Sequence, residues 1–364
     1  MPAPATPPDP DASGHALPNA ITRRAALADY DFRGVHPRLA FGTASDRYAA
    51  WIGQVYPERW RSEVQTRKKR VRGEQFEERQ LPIASVVDYF EHFSVLEIDF
   101  TFYRPLLEDD GEPGSNYFVL QTYAEHAPDD ARFLLKAPQA YAARTLRRGG
   151  KGGPRYEPNP TYLDAPAYVR QFLDPAVDLL GERLRGVLFE QEYTRVAESP
   201  DPDEFVANLD GFFRDVPREV QTHLEMRSPH LLVPPYVDWL EREGLGLVFS
   251  HWQYLPSIKE QWERVNGRFT SADGNVVLRL LNPRGMSYGE AFAAAYPFEA
   301  PAEALAGTPQ ARQMIDETTA LAYRVIEDGK TLNVIANNRA WGNSPDLAAA
   351  VAARFLDFTP EKGA

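Results

Sequence analysis

The chain has 364 residues and no cysteine, 43% of its residues are hydrophobic, and its formal net charge is −12. The absence of cysteine excludes thiol nucleophiles, thiolate metal sites and disulfides. The acidic balance argues against nucleic-acid binding by the surface as a whole. No apolar run approaches the ~20 residues that a membrane-spanning helix needs, so we expect no membrane partner.

The N-terminal segment, residues 1–33, begins with MPAPATPPDPDASGHALPNA and is rich in proline and alanine. It lacks a basic stretch followed by an apolar one, so it does not look like a secretory signal, and we expect a cytoplasmic protein. This composition predicts a disordered or loosely packed tail. The folded domain is predicted to occupy residues 34–360.

Strand-like and helix-like segments alternate along this domain. Runs rich in β-branched and aromatic residues lie at 38–43, 95–100, 132–137, 185–190, 221–226, 246–250, 276–281 and 332–337. Apolar residues recur at helical spacing in 83–93, 115–127, 167–181, 203–216, 235–244, 311–329 and 344–356. Eight such repeats predict an α/β fold, a (β/α)₈ TIM-type barrel forming a single domain with rim insertions. An open doubly wound sheet is the alternative, but no glycine-rich dinucleotide fingerprint follows the first strand.

Three long insertions interrupt the repeats. Residues 59–80 contain the basic run RKKRVR at 67–72, and residues 144–155 read RTLRRGGKGGPR. Each of these follows a strand, which places it at the C-terminal rim of the barrel. The third, residues 282–308, follows the seventh strand and is long enough to form a lid over the mouth.

Polar residues gather at the C-terminal ends of the predicted strands, whereas the strand starts are mostly apolar. In a barrel these ends converge on one mouth, where active sites lie. The candidates are Glu97, Asp99, Lys136, Glu190, Glu225, Arg227, His251, Arg279, Asn337 and Asn338. The alternative is that such residues only mark where the chain meets solvent, or pair with one another, as Glu225 and Arg227 would.

The stretch VLEIDF, residues 95–100, places Glu97 and Asp99 two apart, so on a strand both carboxylates share one face. Burying two carboxylates requires a partner. We expect Lys136, on the next strand along the chain, to neutralise them.

Each of the other candidates has a chemical role and a structural alternative. Lys136 on an apolar strand suits a base or an imine-forming amine, and Glu225 suits a general acid or base tuned by Arg227. Arg279 suits a clamp for a carboxylate or phosphate. His251 suits proton exchange near neutral pH or is a buried structural histidine. The two asparagines either donate to a substrate oxygen or cap a helix. Glu97, Lys136 and Glu225 are therefore the predicted catalytic residues.

Two further classes of ligand remain open. Glu97, Glu190, Glu225 and His251 together offer oxygen and nitrogen ligands for a divalent metal, although no compact metal motif is present and cations share the rim, so no cofactor is predicted. The basic segments 67–72 and 144–155 lie on one rim of an acidic protein and would attract a small anionic molecule or a nucleic-acid strand. No phosphate-binding loop and no nucleophile-elbow serine motif occurs.

An ordered series of motifs resembles the YecE-like family, also called domain of unknown function 72. The motifs are FGTASDRYAAWIGQVYP, VLEIDFTFYRP, RFLLKAP, GVLFEQ, HLEMRSP and IANNRAWG, between about Leu39 and Phe355. The resemblance implies a (β/α)₈ barrel with its site at the motif residues but names no reaction. Matching positions are Glu97, Thr101, Phe102, Tyr103, Lys136, Glu225, Arg227, Asn337 and Asn338, which adds Tyr103 to the substrate-binding candidates.

The chain departs from the family pattern around these positions. Asp46 and Arg47 stand in place of a Gly-Trp pair, Asp99 in place of an asparagine, and the segments 142–143, 190–193 and LLNPRG also differ. We therefore expect a divergent member with altered ligand preference. The expected function is acid/base chemistry on a small anionic substrate, as a hydrolase or lyase. The alternatives are a nucleic-acid-binding or -processing module and a non-catalytic binding protein.

Overall fold

A computed structural model describes residues 20–148 and 155–357. The predicted tail is too long at its C-terminal end, because the chain is already packed before residue 34. Leu27 and Phe32 are buried in the main hydrophobic core, and the Phe32 ring lies 4.9 Å from that of Phe93. Residues 1–19 of the predicted tail, and 149–154 of the second basic insertion, lie outside the described residues.

The described residues form twelve strands, eight of which make the barrel. The strands are β1 Leu39–Ala44, β2 Gln65–Val71, β3 Glu74–Gln80, β4 Val95–Ile98, β5 Arg132–Lys136, β6 Thr145–Arg148, β7 Arg155–Pro158, β8 Leu184–Glu190, β9 Thr222–Glu225, β10 Gly246–His251, β11 Asn275–Leu280 and β12 Thr331–Ala336. The barrel closes in the order β1-β12-β11-β10-β9-β8-β5-β4. Neighbouring barrel strands are parallel throughout, and the predicted TIM-type barrel with its eight strands is confirmed.

Helices surround the barrel in the described part of the chain. They are α1 Ala20–Ala26, α2 Val86–His92, α3 Ser115–His126, α4 Gln139–Ala142, α5 Ala165–Tyr168, α6 Asp174–Leu180, α7 Pro202–Asp215, α8 Pro234–Glu243, α9 Ile258–Arg264, α10 Tyr288–Ala295, α11 Glu303–Ala306, α12 Pro309–Glu327, α13 Asn338–Trp341 and α14 Ser344–Asp357. All seven predicted helical segments are present, although 167–181 is divided by a π-helical turn at Val169–Leu173. The short α9, with its Ser257–Glu260 capping box, was not predicted. No helix in the described ranges is long and apolar enough to cross a membrane.

The lower half of the barrel is filled by aliphatic side chains, called the aliphatic layer below; one of them, Ala44 at the end of β1, reaches up to the cavity. The members of the layer, which point inward from seven of the eight strands, are Ala40, Ala44, Val95, Leu134, Leu188, Val248, Val277 and Ile335. Gly42 lets β1 approach β4, because a Cβ at this position would lie 2.0 Å from the Val95 carbonyl oxygen. This apolar layer closes the bottom of the barrel, so the next inward residues upward form the floor of its mouth.

Two of the rim insertions meet over the mouth. The first basic insertion contains the antiparallel hairpin β2–β3, and the insertion after β11 contains α10 and α11. The Phe76 ring of the hairpin lies 5.1 Å from those of Phe292 and Tyr296, and Arg72 pairs with Glu290 at 3.1 Å. The hairpin and α10 therefore form one wall above the barrel. The second basic insertion contributes the short hairpin β6–β7.

Candidate active site

A cavity of about 720 Å³ opens at the C-terminal mouth of the barrel. Nine of the eleven predicted site residues line it: Glu97, Asp99, Tyr103, Lys136, Glu190, Arg227, Arg279, Asn337 and Asn338. Glu225 lies directly beneath it, and His251 points elsewhere. The sequence-based candidates thus converge on one place, as the mouth of a barrel requires.

The strand period explains how these residues reach the floor. On a strand, side chains two residues apart lie on the same face. Glu97 comes two residues after the inward Val95, and Lys136 two after Leu134. The same spacing sets the other floor residues above the aliphatic layer: Glu190 after Leu188, Ser250 after Val248, Arg279 after Val277 and Asn337 after Ile335.

Arg279 is the centre of the floor. Its Nε and Nη2 donate to the two carboxylate oxygens of Glu97 at 2.8 and 2.6 Å. Its Nη1 donates to Glu190 at 3.2 Å and also to Glu225. Glu97 and Glu225 are fully buried, and Arg279 is 3% exposed. Burial alone would lower the pKa of Arg279, but these three carboxylates raise it well above its usual value, so the guanidinium is permanently charged.

Glu190 is the floor carboxylate most open to the cavity. Its side chain is 19% exposed, and it accepts from Arg227 Nη2 at 2.6 Å and pairs with Lys136 Nζ at 3.0 Å. Burial would raise the pKa of Glu190, but Arg227, Lys136 and Arg279 hold it well below its usual range. Glu190 therefore remains ionised at neutral pH and does not serve as a proton donor.

The remaining floor contacts hold the cations in place. Arg227 Nη2 also donates to Glu225 at 2.8 Å, which confirms the suggested Glu225–Arg227 contact. The Arg227 guanidinium lies 4.3 Å from the Trp252 ring centre, and Lys136 Nζ lies 4.0 Å from that of Phe102. Three carboxylates thus face three cations, and the floor cluster is electrically neutral. Such a cluster is stable in a buried position only when all partners are present.

The expected neutralisation of Glu97 and Asp99 by Lys136 is wrong. Strand β4 ends at Ile98, and Asp99 has helical backbone angles (φ −101°, ψ −16°), so the two carboxylates do not share a strand face. Glu97 pairs with Arg279 from β11, and Lys136 pairs with Glu190 from β8. Asp99 lies higher, on the cavity wall.

His251 is not a substrate-binding residue in this geometry. Strand β10 directs Ser250 inward, where its hydroxyl donates to Glu225, so the next side chain points outward toward the helices. His251 is 3% exposed, and its neighbours include Arg284 and Gln310. Burial, assisted by Arg284, lowers its pKa to about 4, so the ring is neutral. His251 does not line the cavity, and its burial agrees with the alternative of a structural histidine.

The two asparagines differ in what they bind. The side chain of Asn337 accepts from the Arg339 backbone N–H at 3.0 Å and caps α13. Asn338 Oδ1 accepts from the Ser344 N–H at 2.7 Å, whereas its Nδ2 is buried without a partner among the described residues. Tyr103 is 68% exposed at the cavity edge.

Several cavity residues were not predicted. Asp46 is 2% exposed and accepts from Tyr123 Oη at 2.7 Å, and burial raises the pKa of its carboxyl group. Trp252 and Arg339 also line the cavity. All three follow a strand by one or more residues. Extending the search three residues past each strand end would have found them, since such loops carry the site in barrels.

The possible metal ligands are not assembled into a metal site. Glu97, Glu190 and Glu225 are close together, but each is already bound by at least one guanidinium, and His251 points away. Within the described ranges no group of three or more acidic or histidine side chains is arranged to hold a metal ion. The floor is therefore a set of ion pairs.

The basic run on β2 is partly neutralised by the strand beside it. Arg67 is opposite Glu78, Lys68 is opposite Glu77, and Lys69 Nζ pairs with Glu78 at 2.8 Å. The hairpin presents less positive charge than the run RKKRVR alone indicates.

Comparison with known proteins identifies the family. The sequence model described as "Protein of unknown function DUF72" matches residues 40–360. The chain belongs to the DUF72 family. Among solved structures, a DUF72 protein of Enterococcus faecalis has a TM-score of 0.52 at 13% identity, covering 89% of this chain and 97% of that one. A DUF72 protein of Thermotoga maritima has a TM-score of 0.49 at 16% identity, covering 87% of this chain and 97% of that one.

The low identities agree with the expected divergence of this DUF72 chain from its relatives. A search of curated proteins found no match. The DUF72 assignment confirms the resemblance drawn from the motifs and, with the barrel, the fold class. It names no substrate and no reaction.

Proposed function

We propose that this DUF72 protein is an enzyme that performs acid/base chemistry on a small anionic substrate at the mouth of the barrel. The observation that carries the proposal is the Lys136–Glu190 pair, an ammonium and a carboxylate 3.0 Å apart at the bottom of a 720 Å³ cavity. A solvent-accessible ion pair above a fixed, buried charge network is a typical arrangement for proton transfer in a preorganised site.

Within this pair the roles follow from charge and exposure. Glu190 is held ionised, so Lys136 is the group that donates a proton, either to a leaving oxygen in hydrolysis or to a carbon or oxygen centre in a lyase reaction. Glu190 orients the ammonium, and solvent water returns a proton to the Lys136 amine after turnover. Glu97 and Glu225 are fully buried. We therefore reassign them as positioning residues, which fix Arg279 and Arg227 beneath the reacting pair.

The test combines a ligand screen with two variants. Phosphorylated metabolites, sugars and carboxylates are screened for an increase in the melting temperature, since a ligand that binds only the folded state stabilises it. Each hit is then assayed for turnover with the parent protein, Lys136→Met and Glu190→Gln. Lys259→Met, an exposed lysine on α9, is the matched control.

We expect Lys136→Met to reduce turnover by about 10²-fold or more, the usual contribution of a positioned acid or base, while binding is retained. Lys259→Met should behave as the parent. Parental turnover by Lys136→Met would refute the assignment. Salt-dependent affinity for nucleic acid, with no small-molecule hit, would favour the binding module instead.

A further inference from the structure

The floor arginines, expected from the sequence to clamp a substrate anion, are poorly placed for that task. Arg279 uses all three side-chain nitrogens on glutamates, and Arg227 contacts two of the same carboxylates. An added anion would enter beside Glu97, Glu190 and Glu225, whose charges oppose it. The anionic part of the substrate therefore needs another binding place.

The upper wall of the cavity carries the excess positive charge. Its cations are Arg47, Arg67, Lys69 and Arg339, and its carboxylates are Asp46, Glu78 and Asp99. The wall is thus cationic, whereas the floor is neutral.

Two wall residues carry donors that lack partners. Arg339 lies over the Tyr288 ring at 4.5 Å, and its Nε is buried without a hydrogen-bond partner among the described residues. Asn338 is 2% exposed, and because its Oδ1 is occupied by the Ser344 N–H, the unpartnered Nδ2 is the amide group left for a ligand. A buried donor without a partner is destabilising, and a ligand oxygen would supply the missing hydrogen bond.

A second cation, Lys69, reaches the same wall from the hairpin. Lys69 lies 5.3 Å from the Phe292 ring centre, and its Nζ pairs with Glu78 at 2.8 Å, which leaves further ammonium donors for a ligand. The Phe292 ring beside Lys69 lies 6.2 Å from the Tyr288 ring beside Arg339, and both cations line the same cavity. These donors come from α13 and from the hairpin, so a ligand there would join the two elements.

We propose that Asn338, Arg339 and Lys69 form the subsite for an oxyanion of the substrate, either a phosphate or a carboxylate. The proposal rests on the proposed function, since it places the anion on the wall and the reacting bond above Lys136 on the floor. Asp99, on the same wall, rejects a second negative charge and accepts from a hydroxyl. The substrate class is therefore a hydroxylated compound with a single terminal oxyanion, such as a sugar phosphate or a hydroxy acid.

The test measures oxyanion binding separately from catalysis. Inorganic phosphate and acetate are titrated in low salt against the parent protein, Arg339→Gln, Arg339→Lys, Lys136→Met and the control Arg312→Gln, an exposed arginine on α12. Dissociation constants come from calorimetry, and circular dichroism verifies that each variant is folded. The two probes distinguish a phosphate subsite from a carboxylate subsite.

We expect at least one probe to bind the parent, and Arg339→Gln to weaken that binding by about tenfold or more, as for loss of a charge-assisted bidentate contact. Arg339→Lys should lose less of the affinity for the probe. Lys136→Met and Arg312→Gln should bind the probe as the parent does. Unchanged binding by folded Arg339→Gln, or no binding of either probe by the parent, overturns the subsite. Normal oxyanion binding with turnover that does not depend on Lys136 refutes the proposed function alone.

Discussion

Removing Arg279 should destabilise the protein strongly, although the residue lies at the site and not in the apolar core. Arg279→Met deletes both hydrogen bonds to Glu97 and the contacts to Glu190 and Glu225. Glu97, which is fully buried, then loses the one ion pair that it makes among the described residues. Breaking a buried ion pair from one side costs about 3–5 kcal/mol because an uncompensated charge remains.

The measurement is thermal unfolding followed by circular dichroism at pH 7. At about 2.1 cal/mol/K of unfolding entropy per residue, a chain of 364 residues shifts by roughly 1.3 °C per kcal/mol, so Arg279→Met should unfold about 4–7 °C below the parent. The double variant Arg279→Met/Glu97→Gln should recover a substantial part of this loss, since the stranded charge is gone. The difference should also shrink as the pH falls, because an unpaired buried carboxylate takes up a proton more readily.

The exposed Arg61 is the matched control, because its ion pair with Glu58 lies at the surface. Arg61→Met should have the same melting temperature as the parent. A melting temperature of Arg279→Met within about 2 °C of the parent would show that the floor network contributes little to stability. An equal fall in melting temperature in the single and double variants would show that Glu97 is not the group left without a counter-charge.

Two further changes test the barrel itself. Gly42→Ala should give little soluble protein or a large fall in melting temperature, because the Cβ of the alanine would overlap the Val95 carbonyl oxygen. A parental melting curve would contradict the close approach of β1 to β4. His223 and His251 have pKa values lowered to about 4, mainly by burial, so stability should be unaffected above pH 6.5 and should fall as the pH drops from about 6.5 to about 4. His251→Gln should remove on the order of 3 kcal/mol of that acid-dependent loss in the free energy of unfolding. The measurement is urea unfolding at pH 7 and pH 4.5, and an unchanged pH dependence would count against a neutral buried ring.

The fold could be predicted from the sequence because strand-like apolar runs alternate with segments of helical spacing along the whole domain. All eight barrel strands were located to within a few residues. Short apolar runs that lie between segments of helical spacing are compatible with few folds other than alternating strands and helices. The floor residues Glu97, Lys136, Glu190 and Arg279 were also found. Each stands at the end of an apolar strand, where a charged side chain is unexpected unless it has a partner.

The pairing between these residues could not be derived from the sequence. Lys136 was assigned to Glu97 because their strands are adjacent, yet closure of the barrel brings Arg279 from β11 across the interior to Glu97. A shift of one residue at a strand end was enough to misplace Asp99 and His251, since a strand changes face at every residue. The same local uncertainty hid Arg339, whose position depends on how α13 follows β12.

The separation between a neutral floor and a cationic wall has a mechanistic consequence. The floor cations are already paired with carboxylates and offer little net attraction to the ground-state anion. In the proposed subsite the binding energy therefore comes from the wall, where cations outnumber carboxylates. Charge that develops on the substrate above Lys136 during reaction meets a network already held by Arg227 and Arg279, which need not reorganise. Interactions that strengthen only as charge develops accelerate a reaction, whereas equal binding of substrate and transition state does not. The wall variant Arg339→Gln should therefore chiefly raise the KM, and the floor variant Lys136→Met should chiefly lower the kcat.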